Sequence, residues 1–384
     1  MTRFLLYSHD TYGLGHFRRC TLLASGLVGD DATNEVLIVT GSPRAHAFPL
    51  PERVDTVQLP SATKRDDGSY CPRKLGDDIA RLIRLRTELV RAAVLAYRPD
   101  VILVDHAPLG MGGELAPVLN DLRHRRRRPR LVLGLRDVID DAARVGAMWE
   151  RDGIWDALDH YDEIYVYGDP RVTTTAQELD LAQRTNATVT HTGYVAPNMP
   201  EPVTDDPFVL VTPGGGGDGQ ALLRRYLDAV EVGATAGVRS VVVPGPLLSP
   251  RRRAELLVRA ARLPSVELIE FSDRMRTLIS SATGVVSMAG YNTVVEELAA
   301  GTPALLVPRR TPRLEQHIRA TRLAPFTQLD SCRLDDLSPE RIHGFVSESR
   351  DRSIPPETID LSGVATVVGA LRPSTTTKRE RAHV

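Results

Sequence analysis

Residues 287–316 read SMAGYNTVVEELAAGTPALLVPRRTPRLEQ, and their reading decides the fold. The stretch begins at the end of a short apolar run, Gly284-Val285-Val286, of the kind that forms a buried parallel strand. Ala289-Gly290 makes a tight turn. From Tyr291 to Ala300 apolar residues then recur at helical spacing, Val294 with Leu298 and Val295 with Ala299. Gly301 is the expected left-handed stop, and Pro303 blocks any extension. From Ala304 to Val307 the chain returns as a second buried strand, closed by Pro308. The result is one strand–helix–strand unit with a small-residue turn feeding the helix. The first turn of such a helix offers unpaired N–H groups at the positive end of its dipole, which suits a phosphate or diphosphate. Just past the second strand, where open α/β sheets bind ligands, stand Glu315 and Gln316, acceptors suited to sugar hydroxyls.

Outward from this unit the same alternation continues in both directions. Short apolar strands are expected over residues 3–8, 35–40, 55–59, 101–105, 131–135, 164–167 and 188–192, with helices over 16–28 and 74–97. Residues 61–71 are polar and read as a mobile surface loop. Periodicity breaks at 193–202, GYVAPNMPEP, where Pro and Gly dominate and a domain linker is expected. A second cycle starts with a strand at 208–212 and a helix at 219–232, adds strands at 239–243 and 266–269, and ends in helices near 314–323, 339–348 and 361–371. The fold class is therefore α/β, two Rossmann-like doubly wound parallel sheets facing a central cleft. The halves are expected at residues 1–198 and 199–372, with a flexible tail at 373–384.

Composition narrows the function classes. The 384 residues, 42% hydrophobic, suffice for two ordinary cores. No run approaches the ~18 apolar residues of a membrane span, and MTRFLLYSHD lacks a signal-peptide core. Three scattered cysteines without metal spacing fit a reducing cytoplasm. A net charge of −1 argues against nucleic acid as a partner. One basic run, RHRRRRPR from Arg123 to Arg130, has two readings: a solvated loop, or a contact with anionic lipid headgroups that would keep the protein at the inner face of a membrane.

Four segments carry chemistry. In DTYGLGHFRRC, residues 10–20, Gly13 and Gly15 let a ligand approach the backbone after the first strand. His16 then stands at a helix start, either as a cap or as a neutral imidazole able to take a proton from a hydroxyl. A dinucleotide fingerprint would need glycine at position 18, which is Arg18, so hydride chemistry is poorly supported. TPGGGGDG, residues 212–219, is a flexible turn or an anion nest built on Gly214, Gly215 and Gly216. Glu270-Phe271-Ser272-Asp273-Arg274-Met275 places Phe271 and Met275 at core-like i, i+4 spacing. Glu296 ends Thr293-Val294-Val295-Glu296, which also reads as a capping box, while the neighbouring Glu297 is expected to be solvated or paired with an arginine. Asp105, His106, Arg136 and Asp137 close strands of the first half and are acceptor-side candidates.

The second half resembles the nucleotide-binding region of GT-B glycosyltransferases, most closely the MurG type. The resemblance rests on Gly290 followed six residues on by Glu296, on Glu315-Gln316 in place of a Gln pair, on the Glu-Phe-x-Asp-x-Met segment and on the glycine loops. It implies a UDP-sugar donor, UDP-GlcNAc first, with the ribose on Glu296 and the diphosphate at Ala289, Gly290, Asn292 and Thr293. Phe271, Ser272 and Met275 would then surround the uracil, Gly15 and the second glycine loop would approach the donor, and His16 would be the base. It implies inverting transfer without metal or cofactor to an acceptor that is a lipid-linked saccharide, a small molecule or a protein. One departure stands out: the type carries an arginine soon after the linker glycine, whereas this chain has Gly193-Tyr194-Val195-Ala196-Pro197. A UDP-GlcNAc 2-epimerase-like enzyme and a non-catalytic sugar-nucleotide-binding protein remain open alternatives.

Overall fold

The computed structural model describes residues 1–9, 15–47, 49–65, 69–203, 206–215, 217–327, 329–349 and 359–372. Strands β1 (Arg3–Ser8), β2 (Glu35–Thr40), β3 (Val54–Gln58), β6 (Val101–Asp105), β7 (Arg130–Arg136), β8 (Glu163–Tyr167) and β9 (Thr188–His191) form one parallel sheet in the order β3-β2-β1-β6-β7-β8-β9. The omitted pair, β4 (Ala62–Lys64) and β5 (Tyr70–Pro72), is an antiparallel hairpin where a loop was expected. Its inner residue Ala62 packs with Leu82 and Met111, so burial overrides the polar composition of this segment.

A second parallel sheet contains β10 (Phe208–Thr212), β11 (Arg239–Val242), β12 (Val266–Leu268), β13 (Gly284–Ser287), β14 (Ala304–Leu306) and β15 (Asp330–Ser331), ordered β12-β11-β10-β13-β14-β15. The central strands are apolar along their whole length because helices cover both faces, and Val209, Leu210 and Val211 are fully buried. Both sheets reverse their winding beside their first strand, between β1 and β6 and between β10 and β13. Such switch points open crevices at the strands' carboxyl ends, and both chemistry-bearing turns lie there.

Six helices bear on the site: α1 (Gly15–Asp30), α2 (Ile79–Tyr97), α3 (Met275–Ser281), α4 (Tyr291–Ala300), α5 (Glu315–Leu323) and α6 (Gly363–Leu371). α2 starts five residues later than its apolar stripe implies, because Asp78 caps it by accepting from the Arg81 N–H at 2.9 Å. α4 ends at Gly301 in the left-handed conformation, φ 66°. The expected second half, 199–372, does not stay together. α6 lies on α1 of the first half, with Val364 and Val368 against Gly26, and Arg130 donates to the Ala370 carbonyl at 2.8 Å. No helix among the described residues is long and apolar enough to cross a membrane.

Candidate active site between the two sheets

The turn after β1 and the turn after β13 bring two helix starts together. Asn292, in the first turn of α4, donates its side-chain N–H to the Gly15 carbonyl at 3.1 Å. A Cβ on Gly15 would stand 3.3 Å from that same amide, a tight contact that Asn292 would have to shift a few tenths of an ångström to relieve. Among the described residues no side chain caps α4; its N-cap is Gly290, and the capping-box reading of Thr293 and Glu296 fails. Thr293 instead faces the glycine loop, where a Cβ on Gly214 (φ +82°) would come within 3.2 Å of its hydroxyl. Gly215 follows in the same loop, and Gly216 lies outside the described residues, as does Gly13 of the first loop.

On the first-half side His16 donates from Nδ1 to Asp105 Oδ2 at 2.6 Å. Arg19, one turn along α1, donates to both Asp105 oxygens at 2.8 and 2.6 Å. Asp105 and Arg19 are fully buried. Burial alone would raise the Asp105 pKa, but Arg19 and His16 overcome it and hold the carboxyl at about 2. An ionised Asp105 fixes the Nδ1–H tautomer, which makes Nε2 the basic nitrogen of His16. The His106 ring stacks on His16 with centroids 5.3 Å apart, and His9 stands edge-on at 5.8 Å. Burial, with Arg136 adding, pushes the His106 pKa well down.

Two acceptor-side expectations need correction. Asp105 is taken up by His16 and Arg19, and so orients the imidazole. Asp137 is sealed inside the interface, accepting from Arg319 of α5 at 2.7 Å to each oxygen. Arg319 also donates to the Ala289 carbonyl at 2.8 Å and so ties the turn before α4 to the first half. His106 and Arg136 remain at the cleft: Arg136 contacts His106 Nε2 at 3.0 Å and pairs with Glu315 at 3.0 Å.

Three donor-side acceptor groups have partners already. Glu296 is buried and paired with Arg18 of α1, with Arg276 of α3 at 3.7 Å. Arg309 donates to Glu315 at 2.8 Å, and its backbone N–H donates to Gln316 Oε1 at 3.0 Å. Burial would raise Glu315, but Arg136, Arg319 and Arg309 bring it to about 2. Its Oε2 is buried against the Arg136 guanidinium at 3.0 Å, so both carboxylate oxygens face arginines. Phe271 is exposed, against the core reading, whereas Met275 at the start of α3 packs on the core. Ser272 accepts from the Arg274 N–H at 3.1 Å. Glu297 is fully buried and unpaired with any arginine among the described residues, contrary to expectation, and burial with Glu296 beside it lifts its pKa to about 8 against the Ser287 hydroxyl. No group of three His, Cys, Asp or Glu among the described residues is arranged to hold a metal ion.

Sequence reasoning missed Arg18, Arg19, Arg276 and Arg319. Only Arg19 had a legible signal, since it shares a helix face with His16 at i+3. The others are visible only once the halves are docked.

Two parallel sheets with switch points facing one cleft, and a helix start from each meeting inside it, define the GT-B class. The Glycosyltransferase family 28 C-terminal domain matches residues 249–349, which hold the Phe271, Glu296 and Glu315 segments. One relative is the UDP-N-acetylglucosamine--N-acetylmuramyl-(pentapeptide) pyrophosphoryl-undecaprenol N-acetylglucosamine transferase of Mycobacterium sp. (strain KMS). It is 27% identical over 253 residues, 65% of this chain and 62% of that protein, so the match spans a little under two thirds of the relative. The protein of the same name from Mycobacterium bovis (strain BCG / Pasteur 1173P2) is 29% identical over 318 residues, 80% of this chain and 71% of its own. Among solved structures, MurG of Acinetobacter baumannii superposes with a TM-score of 0.57 at 15% identity, covering 97% of this chain and 99% of that one. UDP-GlcNAc 2-epimerase from Methanocaldococcus jannaschii reaches 0.62 at 11% identity, covering 96% and 98%. At such identities the structural likeness speaks for the fold alone. With the sequence matches added, the chain has the GT-B fold and is similar in sequence to MurG-type transferases.

Proposed function

We propose that the protein is an inverting, metal-independent glycosyltransferase that moves a sugar, GlcNAc as first choice, from a UDP-sugar to an acceptor hydroxyl. The observation that carries this reading is the meeting of α1 and α4, where an Asp-backed histidine from one sheet faces an uncapped helix start from the other. The donor diphosphate rests on the N–H groups of Asn292 and Thr293 beside the Gly214-Gly215 loop, with the ribose hydroxyls on Glu296. Glu315 and Gln316 face the sugar, and Phe271, Ser272 and Met275 lie near the base. The acceptor oxygen attacks the anomeric carbon while His16 Nε2 takes its proton. The bond from that carbon to the diphosphate oxygen breaks, and the helix dipole stabilises the departing charge. The first turn of α4 offers backbone N–H groups for that stabilisation, and the proposed scheme uses no divalent ion or cofactor.

The names of the relatives make a lipid-linked saccharide the first acceptor to try, which would set the enzyme to work in the cytoplasm at the inner face of the membrane. A thermal-shift panel tests the donor class, since a ligand that binds only the folded state raises the melting temperature. UDP should stabilise and NADH should not. Transfer should persist in excess EDTA, and its complete loss would overturn the metal-free part. Incubation with UDP-GlcNAc alone separates the epimerase reading, because formation of UDP-ManNAc without an acceptor would replace transfer as the reaction.

A further inference from the structure

At the mouth of the cleft two guanidinium groups lean on one carboxylate, and their charges do not cancel. Arg18 and Arg276 both reach Glu296, and among the described residues neither has a second carboxylate in ion-pair range. Burial raises the Glu296 pKa and the two arginines oppose it, so the carboxylate depends on them for its charge. Burial pulls the Arg276 pKa down, and Arg18 adds like-charge repulsion. Glu297, with a pKa of about 8, is mostly protonated at neutral pH and contributes little negative charge. The cluster therefore carries about one net positive charge. It lies where the amino ends of α1 and α4 meet, and both dipoles add to that positive field.

A neutral ribose cannot satisfy this cluster by itself. If its hydroxyls take Glu296, Arg18 loses its partner, and a partly buried cation without one is costly. A diphosphate attached to the same ribose supplies a new partner in the same event, through short charge-assisted bonds that a guanidinium fork makes well. We infer that Arg18 is a diphosphate-binding residue of the donor site, exchanging Glu296 for the phosphate oxygens when the nucleotide enters. The inference rests on the donor reading above. It assigns the phosphate-side arginine to the first half, three residues into α1, and makes Arg18 one of the links by which the donor holds the halves together.

Titration calorimetry of the full chain with UDP and with uridine tests this, using wild type, Arg18→Ala and Arg18→Lys, each first checked for an unchanged melting temperature. Arg18→Ala should weaken UDP by roughly tenfold to a hundredfold, as expected for lost hydrogen bonds to a charged group. Uridine should bind no more weakly, because its ribose hydroxyls then strand no cation when they take Glu296. Arg18→Lys should fall between, keeping charge but losing the fork; if only this variant keeps its melting temperature, its UDP-to-uridine ratio carries the test. Equal weakening of UDP and uridine would overturn the inference by making Arg18 a prop for Glu296. Tighter UDP binding in Arg18→Ala would overturn it too, as the mark of a side chain that merely plugs the site. A wild-type protein that binds neither probe would instead sink the donor reading, and this inference with it.

Discussion

The carboxylates on the two sides of the cleft are satisfied in opposite ways. In the first half, both Asp105 oxygens are taken by His16 and Arg19, which belong to one helix of that same half. In the second half, Glu296 and Glu315 each add to an arginine of their own half, Arg276 and Arg309, one from across the cleft, Arg18 and Arg136. The proton-accepting side is thus built before any ligand arrives, and its geometry does not depend on how the halves sit. The donor side borrows partners that a nucleotide sugar must replace. A fully buried carboxylate breaks the pattern: Asp137 belongs to the first half but is held by Arg319 of the second.

The sharpest way to break the comparison is at His16. His16→Ala should lower kcat by roughly 10²–10⁴, the usual worth of a positioned general base, while UDP binding by calorimetry stays within about twofold. Asp105→Asn should also lower kcat, because the tautomer is no longer fixed, and should lower the melting temperature by leaving Arg19 buried without a full counter-charge. If His16→Ala kept full transfer activity, the first half would not be the proton-accepting side at all.

Next in size is the exception. Asp137→Ala strands the fully buried Arg319, and loss of one partner from a buried pair costs about 3–5 kcal/mol. Urea unfolding should show that loss, and the double replacement Asp137→Leu with Arg319→Met should recover most of it. A cost below about 1 kcal/mol would mean that water reaches the pair and the interface is looser than its burial implies.

The unequal treatment of the two sides also explains what the chain disclosed before folding. Strand–helix alternation, the linker and the turn at Ala289-Gly290 are local patterns, and local patterns carry period and punctuation. His16 was legible because a helix start and glycines flank it. The partners were not, because they join residues far apart in sequence: Arg18 to Glu296, Arg136 to Glu315 and Arg319 to Asp137. Thr293-Val294-Val295-Glu296 misled because a capping box needs the helix to start at Thr293, and it starts at Tyr291. The C-terminal helix misled because sequence order does not say which half a helix returns to.

Glu297 sharpens the comparison by pH. Its carboxyl is buried without an arginine, and its pKa stands raised from 4.5 to about 8. Between those values the unfolded chain releases its proton and the folded chain keeps it, so stability falls as pH rises and levels off above about 8. Asp105 has the opposite sign: its contribution is complete above 3.8 and is lost as pH falls toward about 2. Glu297→Gln should remove on the order of a few kcal/mol of the decline between pH 5 and pH 8, read from urea midpoints at each pH. An unchanged slope would assign the decline to other groups.

The smallest effect is expected from the basic run. Arg128 and Arg130 pair with Asp162 and Glu163, while Arg123, His124, Arg125, Arg126 and Arg127 are exposed. The run precedes β7, so it lies at the amino edge of the parallel sheet, whereas His16 and His106 follow the carboxyl ends of β1 and β6. An acceptor held in a membrane against that run would sit on the side of the domain away from the cleft. Replacing Arg125, Arg126 and Arg127 together by alanine should therefore change stability by less than about 0.5 kcal/mol and leave turnover of a water-soluble acceptor unchanged. Binding to vesicles rich in anionic lipid should fall by less than about twofold. If three such side chains did face headgroups, at about 1 kcal/mol each, the loss would exceed a hundredfold. That result would place the bilayer at the amino edge and require an acceptor long enough to reach around the sheet to His16.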